Sequence, residues 1–395
     1  MKMRKSFHFL WISQLFANLG DVLYIVGLIS ILYQASESPF YMALLPFLNM
    51  AGRMISSSLA PLLFNRYRLK HLLVISQAFK TILLLILAVA SLFQLSLFFM
   101  FIIIFAVAFL DGFALPASTA LLPRIVEKGQ LLRANGILSM LNESTQLGGW
   151  ALGGILVAAT SGEMVIWMTL LLFVLSTLFI ILIKDPKPFE RKMNIAKKQQ
   201  LTEGFSLIWE NHSFRTIHVM IIVESIANVV WVAAIMYLFV ADVLHASEAW
   251  WGYINTAFFI GLLIGGFICT KFEQVFEKKL KSIVIISSFA VALVLLAFGL
   301  NEVAVVALLL SALFGVFDQF KGILLGTWLQ LKATDDQLIK VYSAQGVLTS
   351  LLFGLSTLLA GALATIISVQ WLFIGAGLLL LLSAIYFSCV RKRFE

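Results

Sequence analysis

The sequence has 395 residues, 61% of them apolar and only 12% charged, with a mean hydropathy of +1.00 and a formal net charge of +8. A soluble domain carries about twice that charged fraction, so a water-soluble globule is excluded. The two cysteines, Cys269 and Cys389, suit neither a disulfide framework nor a metal site.

Apolar runs of about 20 residues, long enough to cross a bilayer, follow one another along the whole chain. They predict twelve helices, at 7–33, 41–64, 71–94, 96–119, 131–159, 164–184, 214–241, 249–271, 280–299, 302–330, 340–366 and 369–390. Lys2, Arg4 and Lys5 precede the first run, which contains Asp21 and has the length of a full span. It reads as an uncleaved first helix rather than a signal peptide. The only long connection, 185–212, is basic and polar and reads as a flexible linker on an anionic membrane surface. It divides the chain into an N-terminal bundle (1–184), a linker (185–212) and a C-terminal bundle (213–395).

All but three of the 28 lysines and arginines fall on one side of this topology, in the two termini, the linker and the even-to-odd loops. The exceptions are Arg53, Lys80 and Lys321, inside predicted spans. The positive-inside rule places both termini in the cytoplasm. The basic balance therefore reports membrane orientation and lipid contact, not nucleic acid.

The two halves match without a gap at an offset of 207. Asp111 falls on Asp318, Gln130-Leu-Leu-Arg133 on Gln337-Leu-Ile-Lys340, Gly154 on Gly361, Asp21 on Asn228 and Tyr24 on Trp231. A parallel repeat predicts two six-helix bundles related by an axis along the membrane normal, with a ligand site between them near mid-membrane.

An ionisable group at the bilayer centre costs about 2.5–3.5 kcal/mol. Five acids (Asp21, Asp111, Glu143, Glu224, Asp318) and three bases (Arg53, Lys80, Lys321) nevertheless lie in predicted spans. Pairing each base leaves two carboxylates over, free to bind protons or a cationic substrate. Asp318 and Lys321, one turn apart, read as a mutual pair. Lys80 and Arg53 read as counter-ions to Glu143 or Asp111. Asp21 and Glu224 have no base on their own helix face, and with Glu143 they are the candidates for proton coupling.

Helical spacing groups further polar residues. Gln14, Asn18 and Asp21 form one stripe. Ser139, Asn142, Glu143 and Gln146 form another, continued by Gly149 and Gly153. Glu224, Asn228 and Trp231 form a third. Lipid does not tolerate such stripes, so a shared aqueous cavity is expected, lined by Gln14, Asn18, Tyr24, Arg53, Asn142, Gln146, Asn228 and Trp231. Tyr24 and Trp231 continue the stripes and can stack on a flat or cationic ligand. His218 reads as an interfacial residue. Small-residue runs at 148–154, 261–266 and 322–326 permit close helix approach. The chain has no GxxxxGK[ST], HExxH, GxSxG or Cys/His cluster. No enzyme is expected, and no cofactor; without an ATP motif, an ion or substrate gradient is the expected driving force.

Phe16-Ala-Asn-Leu-Gly-Asp21-Val-Leu-Tyr24 resembles the first helix of the macrolide-efflux and enterobactin-exporter branch of the major facilitator superfamily. Asn65-Arg-Tyr-Arg68-Leu-Lys70 resembles the superfamily's cytoplasmic signature G-x-x-x-D-R-x-x-R-R. Leu122-Pro-Arg-Ile-Val through Arg133-Ala-Asn135-Gly resembles the branch's helix 4–5 segment, and Gly149-Trp-Ala-Leu-Gly-Gly154 the antiporter motif G-P-x-x-G-G. The resemblance implies an all-α membrane fold of twelve helices in two pseudo-symmetric bundles, alternating access, and proton-coupled export of hydrophobic or amphipathic small molecules. It implies a helix 1 acid at Asp21 and gate residues at Arg66 and Arg68. Asn65, Asp111, Arg133, Asp318 and Lys340 complete the expected cytoplasmic gate. Asn65 replaces the signature aspartate, Trp150 the antiporter proline, and Gln77 an aspartate of the branch. An importer or lipid carrier of the same fold, or a non-transporting receptor or scaffold, are the alternatives. A monomer in the cell membrane, contacting lipid and a small-molecule substrate, is expected.

Overall fold

The computed structural model describes residues 4–35, 39–64, 66–91, 96–185 and 197–390. Among these residues the secondary structure is helical, with no strand. The helices are α1 (Lys5–Ala35), α2 (Pro39–Phe64), α3 (Leu69–Ala90), α4 (Leu97–Ile125), α5 (Leu131–Ala159), α6 (Gly162–Ile181), α7 (Lys197–Glu210) and α8 (His212–Ala227). They continue with α9 (Ala233–Asp242), α10 (Ala249–Lys271), α11 (Glu273–Lys278), α12 (Leu280–Gly299), α13 (Ala304–Lys332), α14 (Asp335–Ala364) and α15 (Val369–Val390). Several starts are set by local chemistry. Ser96 accepts a hydrogen bond from the Phe99 amide, Ser161 from that of Met164, and Asn211 from those of Ser213 and Phe214. Each satisfies an amide the helix itself leaves unpaired.

Among the described residues, ten helical segments are long and apolar enough to cross a membrane: α1, α3, α4, α6, α8 with the turn after it, α10, α12, α13, α14 and α15. With α2 and α5, 26 and 29 residues long, they make the twelve expected spans. At 1.5 Å per residue even the 20-residue helices cover the roughly 30 Å of hydrocarbon.

Two expectations are corrected. The seventh predicted helix, 214–241, is not continuous: α8 ends at Ala227, Asn228–Trp231 form a 3-10 turn, and Val232 is extended before α9 begins. The interruption falls on Val229, Val230 and Val232, whose β-branched side chains slightly lower helix propensity. The linker is also more ordered than its composition implied, because 197–210 is helix α7. Residues 186–196 lie outside the described residues.

The repeat is visible in the element bounds. Shifted by 207, α4 becomes 304–332, the bounds of α13, and α1 becomes 212–242, the extent of α8 through α9. Contacts divide the chain into two units. Unit 1 is Met1–Leu131, Ser144–Phe205 and Ala333–Val347; unit 2 is Leu132–Glu143, Ser206–Lys332 and Leu348–Glu395. In unit 1, α1 packs on α6, α2 on α4, and α3 on both α4 and α6. In unit 2 the equivalent helices pair the same way: α8 on α15, α10 on α13, and α12 on both α13 and α15. Each unit has its own apolar core, with Leu28, Leu84 and Ile104 in the first and Phe239, Phe298 and Phe373 in the second.

Candidate functional site

In unit 1 the charges within the spans form one cluster from four helices, three of them buried or nearly so and Arg53 half exposed. Lys80 of α3 is 1% exposed, and its Nζ lies 2.8 Å from Asp21 Oδ1 of α1 and 2.8 Å from Asp111 Oδ1 of α4. Arg53 of α2 completes the group, with Nη2 2.7 Å from Asp111 Oδ2. The ammonium also sits 4.8 Å from the centre of the Phe173 ring of α6, on the electron-rich face that attracts cations. Glycines make these approaches possible. A Cβ on Gly20 would lie 2.6 Å from the Phe173 ring. One on Gly112 would lie 2.6 Å from the Arg53 carbonyl oxygen, so α2 and α4 close up where Arg53 meets Asp111.

Unit 2 has a smaller cluster. Lys321, 2% exposed, lies with Nζ 3.2 Å from Glu224 Oε1 of α8 and 3.2 Å from Asp318 Oδ1 of its own helix, α13. Close packing again fixes the frame: a Cβ on Gly265 of α10 would lie 2.7 Å from the Val316 carbonyl oxygen of α13. Glu143, at the end of the α5 segment that belongs to unit 2, accepts a 3.1 Å hydrogen bond from the Asn142 amide and is in electrostatic reach of Asp318. Earlier on that segment, Ser139 accepts from Gln319 Nε2 at 2.7 Å, and the Asn135 amide donates to Thr327 Oγ1 and Gln330 Oε1.

The expected pair Asp318–Lys321 is present, and so is Lys80 as counter-ion to Asp111. Asp21 and Glu224, without a base on their own faces, are paired by lysines from other helices. Pairing to Glu143 is not seen among the described residues. Unit 1 balances two acids against two bases. Unit 2 sets Glu224, Asp318 and Glu143 against Lys321, so the two surplus carboxylates lie together in that unit. Arg133 does not offset them: it precedes Glu143 by ten residues on α5, about 15 Å along the helix, and its Nε is buried without a partner.

The other expected residues divide clearly. Gln14, Asn18, Asn228 and Gln146 are partly buried, and Asn142 is exposed. Tyr24 is buried in the unit 1 core at 2% exposure, with its hydroxyl unpartnered. Trp231 packs on Phe258, Phe298 and Phe314 with ring centres 5.3, 5.3 and 4.8 Å away. Both aromatics therefore back the polar stripes from within packed interiors. Asn65 lies outside the described residues; Arg66 and Arg68 are exposed and in no ion pair among the described residues.

Lys340 is 2% exposed and pairs with Glu203 of α7 at 2.6 Å and with Asp336 at 3.0 Å. A second ion group was missed from sequence: Arg124, at the end of α4, pairs with Asp185 at 3.0 Å and with Asp335, the first residue of α14, at 3.1 Å. Its only sequence signal is the Asp335-Asp336 pair opening a helix on the basic side.

Comparison with known proteins places this architecture. Residues 10–333 match the Major Facilitator Superfamily. The chain is 31% identical over 390 residues to the MFS-type transporter YfmI of Bacillus subtilis (strain 168), covering 97% of this chain and 96% of that one. Its fold is similar to the human organic anion transporter MFSD10 (TM-score 0.79, 13% identity, 96% and 98% of the two chains covered). It is also similar to the Escherichia coli fucose:proton symporter FucP (TM-score 0.75, 15% identity, 96% and 97% covered). The chain belongs to the Major Facilitator Superfamily. It is an all-α, multi-pass membrane protein of the transporter class, with twelve spans in two six-helix bundles.

Proposed function

We propose that this protein is a proton-coupled secondary transporter that exports hydrophobic or amphipathic small molecules by alternating access. The observation that carries the reading is the surplus of carboxylates held inside the spans, two more than the buried bases neutralise. A permanent surplus of buried charge costs several kcal/mol. A cycle in which those acids alternately hold protons and release them to a substrate-bearing state turns that cost into coupling. Asp21, Glu143 and Glu224 are the coupling acids in this reading, with Gln14, Asn18, Arg53, Asn142, Gln146 and Asn228 as polar lining around the substrate. Export, rather than uptake, is supported by the resemblance of the first helix and the helix 4–5 segment to the macrolide-efflux branch. Apolar substrates are supported by the same resemblance. The proton gradient is the driving force, and a monomer in the cell membrane with cytoplasmic termini is the working unit.

The test is efflux of a lipophilic dye in inverted vesicles containing the full chain, with and without an imposed pH gradient. The expected result is accumulation that collapses with the gradient and is abolished by Glu224→Gln. Accumulation indifferent to the gradient would refute proton coupling. Uptake in the opposite sense would favour the importer.

A further inference from the structure

The cations of the basic side are not all paired within the protein. Arg4 is committed to Glu127, Arg124 to Asp185 and Asp335, and Lys340 to Glu203 and Asp336. The connection from α10 to α12 is different. Lys271, Lys278, Lys279 and Lys281 all fall in it. The first three are exposed and the fourth is partly buried. None is in an ion pair among the described residues. The two acids of the connection, Glu273 and Glu277, are partly buried. They leave it a net charge of +2, with lysines as its most exposed charges.

The same connection shows apolar surface. Phe272 and Val275 are 48% and 49% exposed, and Phe267, near the end of α10, is 57% exposed. Phe276 turns the other way: it is buried, and its ring lies edge-on to Phe320 of α13 with centres 5.1 Å apart. One face of α11 is thus seated on unit 2 and the other is open. The Lys271 ammonium lies 5.7 Å from the ring centres of both Phe267 and Phe272, so charge and exposed ring stand side by side. Helix length sets the depth. α10 has 23 residues, about 34 Å at 1.5 Å per residue, against about 30 Å of hydrocarbon. Lys271 closes that span, and α11 follows at the level of the headgroups. α11 has six residues, about 9 Å, and lysines bracket it at both ends.

An anionic phospholipid answers both parts of this surface. Unpaired lysines just beyond a span attract its phosphate, and exposed apolar side chains beside them meet the start of its acyl chains. Lysine suits a fluid headgroup, because its ammonium meets phosphate as a compact charge on a flexible stem. A soluble anion would leave Phe272 and Val275 uncovered, and a zwitterionic lipid brings its own cation against the lysines.

We infer that the connection from α10 to α12 is a docking surface for anionic phospholipid. Its lysines hold the headgroup phosphate, and Phe267, Phe272 and Val275 take the start of the acyl chains. The surface uses none of the charges inside the spans, so it stands apart from the transport reading.

The experiment is thermal unfolding of the purified full-length protein in nanodiscs of phosphatidylcholine, with and without a fraction of phosphatidylglycerol. A ligand that binds only the folded state raises the midpoint. The readout is the difference between the two lipids within one variant, so a variant that is merely less stable still gives an answer. The expected result is a rise of several degrees with phosphatidylglycerol, weakened by added salt. The rise is lost in Lys278→Gln/Lys279→Gln/Lys281→Gln and reduced in Phe272→Ser/Val275→Ser, which keeps every charge. Arg391→Gln/Lys392→Gln/Arg393→Gln removes as many charges from the basic side and is expected to leave the rise in place. Inorganic phosphate added to phosphatidylcholine discs is expected to give none. No rise with phosphatidylglycerol would overturn the surface. So would an equal loss in the two triple variants, which would mean that the basic side attracts lipid only as a whole. A rise with free phosphate as large as that with the lipid would also overturn it, because the ligand would then be a soluble anion.

Discussion

Lys80 and its partners show how strongly the effect of a buried charge depends on what is left behind. Asp21→Asn leaves the buried Lys80 and the half-exposed Arg53 sharing Asp111, an excess of one positive charge that costs less than the about 3–5 kcal/mol of a fully buried pair broken from one side. Asp21→Asn combined with Lys80→Met leaves Arg53 and Asp111 at 2.7 Å, a balanced pair. The double variant is therefore expected to be more stable than the single one, as read by thermal unfolding in detergent. Equal stabilities would mean that the four groups do not act as one cluster. This cluster was only partly legible in the sequence. Helical spacing finds partners on the same helix, and it found Asp318–Lys321. Lys80 reaches Asp21 from another helix, over 59 residues of chain, and spacing along a single helix cannot show such a partner. Composition did predict two surplus acids, but not that both lie in one unit.

Among the elements, α7 departs most from what its sequence suggested. A basic, polar segment reads as a loose connection, yet 197–210 is a helix tied down at Glu203 and Gly204. Glu203 pairs with the buried Lys340, and the Gly204 backbone lies so close to the Lys340 carbonyl that no side chain fits between them. Gly204→Leu is thus expected to release α7 from the start of α14, whereas Glu203→Gln, which leaves Lys340 its 3.0 Å bond to Asp336, weakens the contact without breaking it. Limited trypsin digestion at Lys197 and Lys198 measures the difference: fastest in Gly204→Leu, intermediate in Glu203→Gln, slowest in the parent. The same digestion rate in all three would mean that the contact does not hold the helix. The break after α8 has only a weak sequence signal in its valines. It was hidden because an apolar run long enough to span looks the same whether or not one turn in its middle is extended.

For the whole molecule, the repeat and the charge asymmetry were the most legible features, because both are properties of many residues at once. A gapless offset of 207 reproduces helix bounds and helix neighbours, although few residues are identical between the halves. Physically, the bilayer fixes helix length and loop side for both halves alike, while the side chains between those limits are free to diverge, as Lys80 and Ser287 have. Orientation follows from the same averaging and is open to a direct test. Cys389 is exposed at the end of α15, beside the basic tail, and Cys269 is fully buried. A membrane-impermeant maleimide is expected to label the protein once per chain in inverted vesicles and not at all in sealed right-side-out vesicles. Cys389→Ser is expected to remove the label, since Cys269 offers the reagent no access. Labelling from the outside would reverse the positive-inside assignment. It would also place Arg124, Lys340 and α7 on the outer face, and the export direction would then have to be reassigned.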